Sequence, residues 1–315
     1  MKQRLVWPLM LVLLLSAMSA YAQESGTAIE LKDFAGRAVT LSAQPQRVAA
    51  LSASIAEAWL EAGGSLTGAT EDAFEQLALG EDVQVIGTIK EPNAEALLSL
   101  APDLVLITDD IASHASLLET LDAVGIASYA VSLDTLEDYI RAMTDFTRLT
   151  GREDLYEQNV TAVQQETGQL LGRLPEGETA PTALFLRAFS SGVKVKARDH
   201  VVCDILEDAG ASNVAAGNPA LEELSLEAIV AADPEYIFVV TMGSDEEKAL
   251  AAFDSLLASN PAWGMLSAVQ EGRVYVLPRE LFHYKPNARW AEAYEYLLAI
   301  LYPDLYASPA SDEAA

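Results

Sequence analysis

Cations are scarce in this chain, and they are not scattered. Of its 19 Lys and Arg, seven fall in two short segments: Arg187, Lys194, Lys196 and Arg198, then Arg279, Lys285 and Arg289. An Arg guanidinium is a planar fork of donors that grips carboxylate or phenolate-like oxygens bidentately. The formal net charge is −28, so the far field repels anions. Salt screens that field within about 8 Å, and a local cationic cluster can still capture one. The second segment, ELFHYKPNARW over 280–290, adds Phe282, His283, Tyr284 and Trp290 around a proline. Aromatic and cationic side chains on one loop suit a large flat ligand, and His283 or Tyr284 could ligate a haem iron. The candidate ligand-binding set is Arg187, Lys196, Arg198, Arg279, His283, Tyr284, Lys285 and Arg289. Plainer roles compete: a solvated basic surface, partners for nearby acids, or, for Phe282 and Trp290, anchors of the last helix.

The absent motifs exclude much else. The sequence has no P-loop, GxGxxG, HExxH or GxSxG. His114, His200 and His283 lie far apart, without metal-ligand spacing, so neither a metal site nor a cofactor is expected. Cys203 is the one cysteine; it sits in an apolar helical pattern and reads as a buried structural thiol. So acidic a chain is a poor partner for nucleic acid or an anionic membrane surface.

The N-terminus has the build of an export signal. Lys2 and Arg4 form a basic start, Leu9 to Leu15 an apolar centre, and Ala20-Tyr21-Ala22 a small-x-small cleavage site. The apolar centre is shorter than the roughly 20 residues that span a bilayer. No Cys stands at the cleavage point, so a lipid anchor is not expected. The domains then read as a signal peptide over 1–22, cleaved after Ala22, and a mature monomer in a periplasm, not inserted in the membrane.

The elements that must carry the cations come next. Residues 29–41, IELKDFAGRAVTL, read as two short strands around Phe34 to Arg37. Strands at 47–51, LTGAT, 103–107 and 126–131 alternate with helices at 54–62, 93–100 and 113–124. That alternation means a mostly parallel sheet. A polar-faced helical stretch over 152–174 follows, about 33 Å long if fully helical, and Pro175 stops it. Then come a strong strand at 182–188, VKVKAR, helices near 200–209 and 246–258, a strand at 272–277 and a last helix from Asn287 to Leu301. The tail after Pro303 reads as frayed.

One stretch occurs twice. NAEALLSLAPDLVLIT (93–108) and SLEAIVAADPEYIFVVT (225–241) align with Glu95 opposite Glu227. Each is a helix halted before a proline, then a short apolar run suited to a buried strand. Two such units predict two α/β lobes of similar build. The expected fold is therefore α/β, with two lobes that each hold a mostly parallel sheet flanked by helices, joined by a single long helix. The lobes run over 23–151 and 175–303, the connecting helix over 152–174, and a flexible tail over 304–315. Both cationic segments follow the carboxyl ends of second-lobe strands, where open α/β sheets place their binding crevices. Loops of the first lobe offer Ser52, Ser54, Glu71, Asp72, Asp109 and Asp110 opposite them.

Together, DFAGRAVTL with QRVAAL, the two echoed segments and NPAWGMLSAVQEGRVYVL resemble the substrate-binding proteins of ABC importers for ferric siderophores, haem and cobalamin. The resemblance covers nearly the whole mature chain. It implies a ligand held between two lobes and delivered to a permease dimer with its ATPase. It also implies that Glu95 and Glu227 dock onto that permease; helix-dipole stabilisation of a first-turn acid is the plainer account. The cargo implied is a small-molecule metal complex, a ferric siderophore before haem or cobalamin, with no bond made or broken. The acidic first-lobe loops depart from the strongly basic cleft usual for catecholate siderophores. An enzyme on a similar two-lobed scaffold is a remote alternative, since no nucleophile–base pair is visible.

Overall fold

The computed structural model describes residues 28–108, 110–175 and 180–306. The segment read as an export signal, residues 1–22, and most of the tail lie outside the described residues, as does Asp109.

The first part of the chain runs β1 (Ile29–Lys32), β2 (Ala38–Leu41), β3 (Val48–Ala50), α1 (Ala53–Glu61), β4 (Leu66–Ala69), α2 (Glu71–Gln76), β5 (Gln84–Val85), α3 (Ala94–Ser99), β6 (Leu104–Thr108), α4 (Ala112–Ala123), β7 (Ala127–Val131) and α5 (Leu136–Thr150). β1 and β2 form an antiparallel hairpin. The other five strands make a parallel sheet in the order β5-β4-β3-β6-β7.

A helical passage follows: α6 (Glu153–Tyr156), a π segment (Glu157–Thr161) and α7 (Ala162–Leu171). The second part holds β8 (Thr182–Phe189), β9 (Gly192–Val195), α8 (Val201–Asp208), β10 (Ser212–Asn213), α9 (Pro219–Glu222), α10 (Leu226–Ala232), β11 (Tyr236–Thr241), α11 (Glu246–Ser259), α12 (Ser267–Gln270), β12 (Val274–Val276), α13 (Arg279–Phe282) and α14 (Trp290–Leu301). Here β10, β8, β11 and β12 are parallel neighbours, and β9 pairs antiparallel with the end of β8.

The echoed segments repeat at the level of single atoms. Asn93 caps α3 by accepting from the Ala96 amide at 3.0 Å, and Ser225 caps α10 by accepting from the Ala228 amide at 3.5 Å. Before each proline stands a non-glycine residue in the left-handed region, Ala101 at φ 45° and Asp233 at φ 40°. After each proline an acid pins the start of the neighbouring strand. The Asp103 carboxylate accepts from the Gln46 and Arg47 amides at 2.8 and 3.0 Å, and Glu235 from the Thr182 amide at 2.8 Å. The sequence pattern therefore encodes strand neighbours as well as strands: β6 lies beside β3, and β11 beside β8.

Both sheets are buried on both faces, as continuous apolar strands require. Val48, Ala50, Leu104 and Leu106 point one way, with Ala49, Leu51, Val105 and Ile107 behind them. In the second sheet Phe185 and Phe238 point one way and Leu184, Leu186, Ile237 and Val239 the other. Residues from one face of each sheet belong to a single continuous apolar cluster that also takes in Trp59, Phe146, Phe282 and Trp290. The helical passage starts against the first lobe, where the Asn159 amide group donates to the Glu61 carbonyl at 2.8 Å. It ends beside the C-terminal region, where the Tyr306 hydroxyl donates to the Leu170 carbonyl at 2.7 Å. Among the described residues no helix is long and apolar enough to cross a membrane.

Candidate ligand-binding site

The parallel strands of each sheet release their loops at one edge. In the first lobe Ser54 lies in the first turn of α1, just after β3, and Asp134 in the loop after β7; in the second lobe Arg187 lies near the end of β8, and the segment 279–289 follows β12. Contacts between these loops show that the edges face each other. The Ser54 hydroxyl donates to the Tyr284 carbonyl, and the Lys285 ammonium pairs with the Asp134 carboxylate. The Asn287 amide donates to the Ser54 carbonyl at 3.0 Å and to Glu57 at 2.6 Å. Lys285 (φ 71°) and Asn287 (φ 48°) both occupy the left-handed region. Such strain, about 1–3 kcal/mol per residue, persists where the surroundings enforce it and clusters at functional sites. Here the two residues with that strain are also the ones whose side chains reach the first lobe.

Arg187 stands near the end of β8, paired with Val240 on one side and Lys194 on the other. Its Nε is buried and has no hydrogen-bond partner. Burial lowers its pKa, while Asp134 and Asp110 oppose that shift; an Arg stays charged regardless. Lys196 is half-buried just past β9, and its charge, with those of Lys285 and Arg187, reaches His200. His200 caps α8 through Nδ1, which accepts from the Val202 amide at 3.2 Å, and burial holds the ring neutral.

His283 is also neutral. Burial first, then Arg279 and Lys285, pushes its pKa down to about 3, and its Nδ1 is buried without a partner. Its ring lies 4.6 Å from that of Tyr284. Arg279 is placed behind the site rather than in it. It is 8% exposed and donates to the Thr241 carbonyl at 3.1 Å, to the Gly243 carbonyl and to the Tyr284 hydroxyl at 3.0 Å. Arg279 therefore ties the Tyr284 loop to the end of β11.

The remaining candidates scatter. Arg198 is exposed, and Arg289 is exposed and held by Glu292 through two bonds of 2.7 Å. Glu95 and Glu227 are exposed in the first turns of α3 and α10. Cys203 is buried, and burial pushes its thiol up to about 12. His114 is a satisfied core residue: Nδ1 accepts from the Thr108 amide at 3.2 Å and Nε2 donates to the Ile89 carbonyl at 2.8 Å. Among the described residues no group of three or more His, Cys, Asp and Glu is placed to hold a metal ion.

Sequence reasoning missed Asp134, Glu57 and Glu61 at this interface. Glu57 and Glu61 stand one turn apart on α1, and burial pushes the Glu61 pKa up to about 7, with the nearby Glu57 adding to it. The spacing Glu-x-x-x-Glu on an otherwise apolar helix was the available signal. A surface hollow of about 1140 Å³ lies beside the β1–β2 hairpin and contains none of the cation cluster. Its Arg141 is already engaged, donating to the Lys32 and Asp33 carbonyls at 2.8 Å and stacking 4.0 Å from the Phe34 ring. In the cation cluster the Arg187 Nε is a buried donor without a partner, and an oxygen-rich anion placed there would meet it.

Known proteins resemble this chain in sequence and in fold. The chain is 24% identical over 247 residues to the Fe(3+)-citrate-binding protein YfmC of Bacillus subtilis (strain 168), covering 76% of each. It is 22% identical over 281 residues to the ferric-anguibactin-binding protein FatB of Vibrio anguillarum (strain ATCC 68554 / 775), covering 85% of each. In fold it matches S. aureus IsdE complexed with heme, with a TM-score of 0.70 at 18% identity over 81% of this chain and 98% of that one. A family model described as periplasmic binding protein matches residues 48–281. That span takes in both sheets, the helical passage and the start of the 279–289 segment, and the chain belongs to the periplasmic binding protein family.

Proposed function

We propose that this protein is the periplasmic receptor of an ABC importer for an iron complex, captured between the lobes and handed to a permease dimer with its ATPase. The observation that carries the reading is the buried, unpartnered Nε of Arg187, set among Lys196, Lys285 and two neutral imidazoles at the facing edges of two parallel sheets. A buried donor without a partner costs about 1–3 kcal/mol, and a ligand oxygen would recover that. Relatives that bind ferric citrate and ferric anguibactin support an iron complex as cargo. A ferric siderophore or ferric hydroxycarboxylate fits the Arg fork best. The receptor works as a monomer after an export signal is removed behind Ala22, and it makes and breaks no bond. Glu95 and Glu227, equivalent acids on equivalent helices, serve as the two docking charges.

Titration of the purified protein with ferric citrate and ferric siderophores, followed by tryptophan fluorescence, tests the cargo. Arg187→Ala should weaken binding about tenfold or more, as expected for a charge-assisted hydrogen bond. Undiminished binding by that variant, or no binding of any iron complex by the wild type, would overturn the proposal.

Haem is the second reading, favoured by the unpartnered Nδ1 of His283 on a ring that stays neutral and so remains able to ligate. A sharp Soret shift with haemin, abolished in His283→Ala or Tyr284→Phe, would establish it.

A further inference from the structure

The cation cluster already has an anion of its own. Asp134 sits in the loop between β7 and α5, and its carboxylate meets the Lys285 ammonium across the cleft. The same carboxylate acts on the Arg187 guanidinium. The pair is partly exposed, 22% for Lys285 and 28% for Asp134, so water can replace either partner. Asp134 leaves the Nε of Arg187 unpartnered. Asp134 thus neutralises Lys285 directly and leaves the Arg187 donor open.

We propose that Asp134 is a built-in competitor at the ligand site, a carboxylate that an anionic cargo must displace, and so a residue that sets which cargo charge the receptor accepts. This inference rests on the ligand site proposed above and adds the charge class of the ligand. A cargo carboxylate forked onto Arg187 would stand beside Asp134, and two like charges there repel. The cargo must then push Asp134 off Lys285 and take that ammonium as well. The geometry permits this exchange. Asp134 precedes the α5 cap Thr135, whose bond to the Asp138 amide at 3.0 Å holds the helix start independently. The Leu136 amide is held separately by Asp204 at 2.8 Å. Asp134 can swing into water without unravelling α5. A neutral complex gains less from Arg187 and Lys285 and need not evict Asp134, so the residue filters anions by demanding strong ones.

The test compares wild type with Asp134→Asn and Asp134→Glu, using citrate without iron, ferric citrate and a neutral ferric trihydroxamate as probes in calorimetric titrations. Asp134→Asn should bind citrate and ferric citrate about fivefold more tightly, the upper range for a partly exposed ion pair, with the neutral complex changed less than about twofold. Asp134→Glu, which keeps the charge, should stay near wild type. Asp134→Ser repeats the comparison if the Asn variant melts early. Unchanged or weaker citrate binding by the Asn and Ser variants would overturn the proposal, and so would citrate binding by neither protein. If citrate follows Asp134 but no iron complex binds the wild type, the iron cargo falls and the competitor stands.

Discussion

Glu61→Gln should make the protein more stable, and by an amount that grows with pH. The Glu61 carboxylate lies where α1 meets α5 and the second lobe. It accepts from the Tyr139 hydroxyl of α5 at 3.3 Å and from the Ala288 amide of the second lobe at 3.4 Å, while the Asn159 side chain of the π segment bonds the Glu61 carbonyl. Burial, then the charge of Glu57, raises its pKa from 4.5 to about 7. Arg289 acts on Glu57 and moderates the pair. A carboxyl whose folded pKa is raised supports folding fully below about pH 4.5 and loses that support as pH climbs through 7. At about 1.36 kcal/mol per pKa unit, the loss is about 3 kcal/mol by pH 8. A Gln keeps an acceptor oxygen for Tyr139 and Ala288 and never ionises. The difference in unfolding free energy between variant and wild type should be near zero at pH 4 and about 3 kcal/mol at pH 8. Denaturant unfolding at pH 4, 5, 6, 7 and 8 measures it. A difference that stays constant across the series refutes the reasoning, because Glu61 would then titrate as a solvated acid.

Other perturbations separate structural from functional groups. Arg279→Met removes a buried guanidinium that serves two carbonyls and the Tyr284 hydroxyl. It should cost about 3 kcal/mol or more in a denaturant melt; a loss below about 1 kcal/mol would mean that water replaces it. Arg187→Met should do the opposite, raising stability by about 1 kcal/mol by deleting an unpartnered donor while weakening cargo binding about tenfold or more, both read in one thermal-shift titration. Glu95→Ala with Glu227→Ala should leave cargo affinity and melting temperature unchanged and abolish transport in whole cells. Normal uptake by the double variant would end the docking assignment.

The lobes were legible because their signals are local. A proline after a short helix and an apolar run after the proline located β6 and β11, and the echo of Glu95 in Glu227 paired them. The strand-pinning acids Asp103 and Glu235 were visible as part of that echo, although their partners at Gln46 and Thr182 lie more than fifty residues away and only the fold brings them together. The capped helix α5 escaped notice despite its Thr135–Asp138 capping box. The π segment over 157–161 was also invisible, since a single π turn inside a helix carries no residue pattern of its own. At the site, residue type identified the cations but not their exposure. Arg187 and Arg279 are alike in sequence, yet one has a buried unpartnered Nε and the other is pinned to backbone carbonyls. Asp134 and Glu61 matter through partners in the other half of the chain, Lys285 and Ala288, which no local pattern announces.

The shared interior restricts how such a receptor can signal. The buried apolar cluster runs continuously from one half to the other; prising the halves apart would open part of it, and every 100 Å² of apolar surface so exposed costs about 2.5 kcal/mol. A wide gape of several hundred Å² would consume most of what a metal complex returns on binding. Loaded and empty molecules should therefore have nearly the same outline in solution scattering. A membrane partner distinguishing them has to sense the rim of the crevice, where individual side chains trade partners, rather than the posture of the whole.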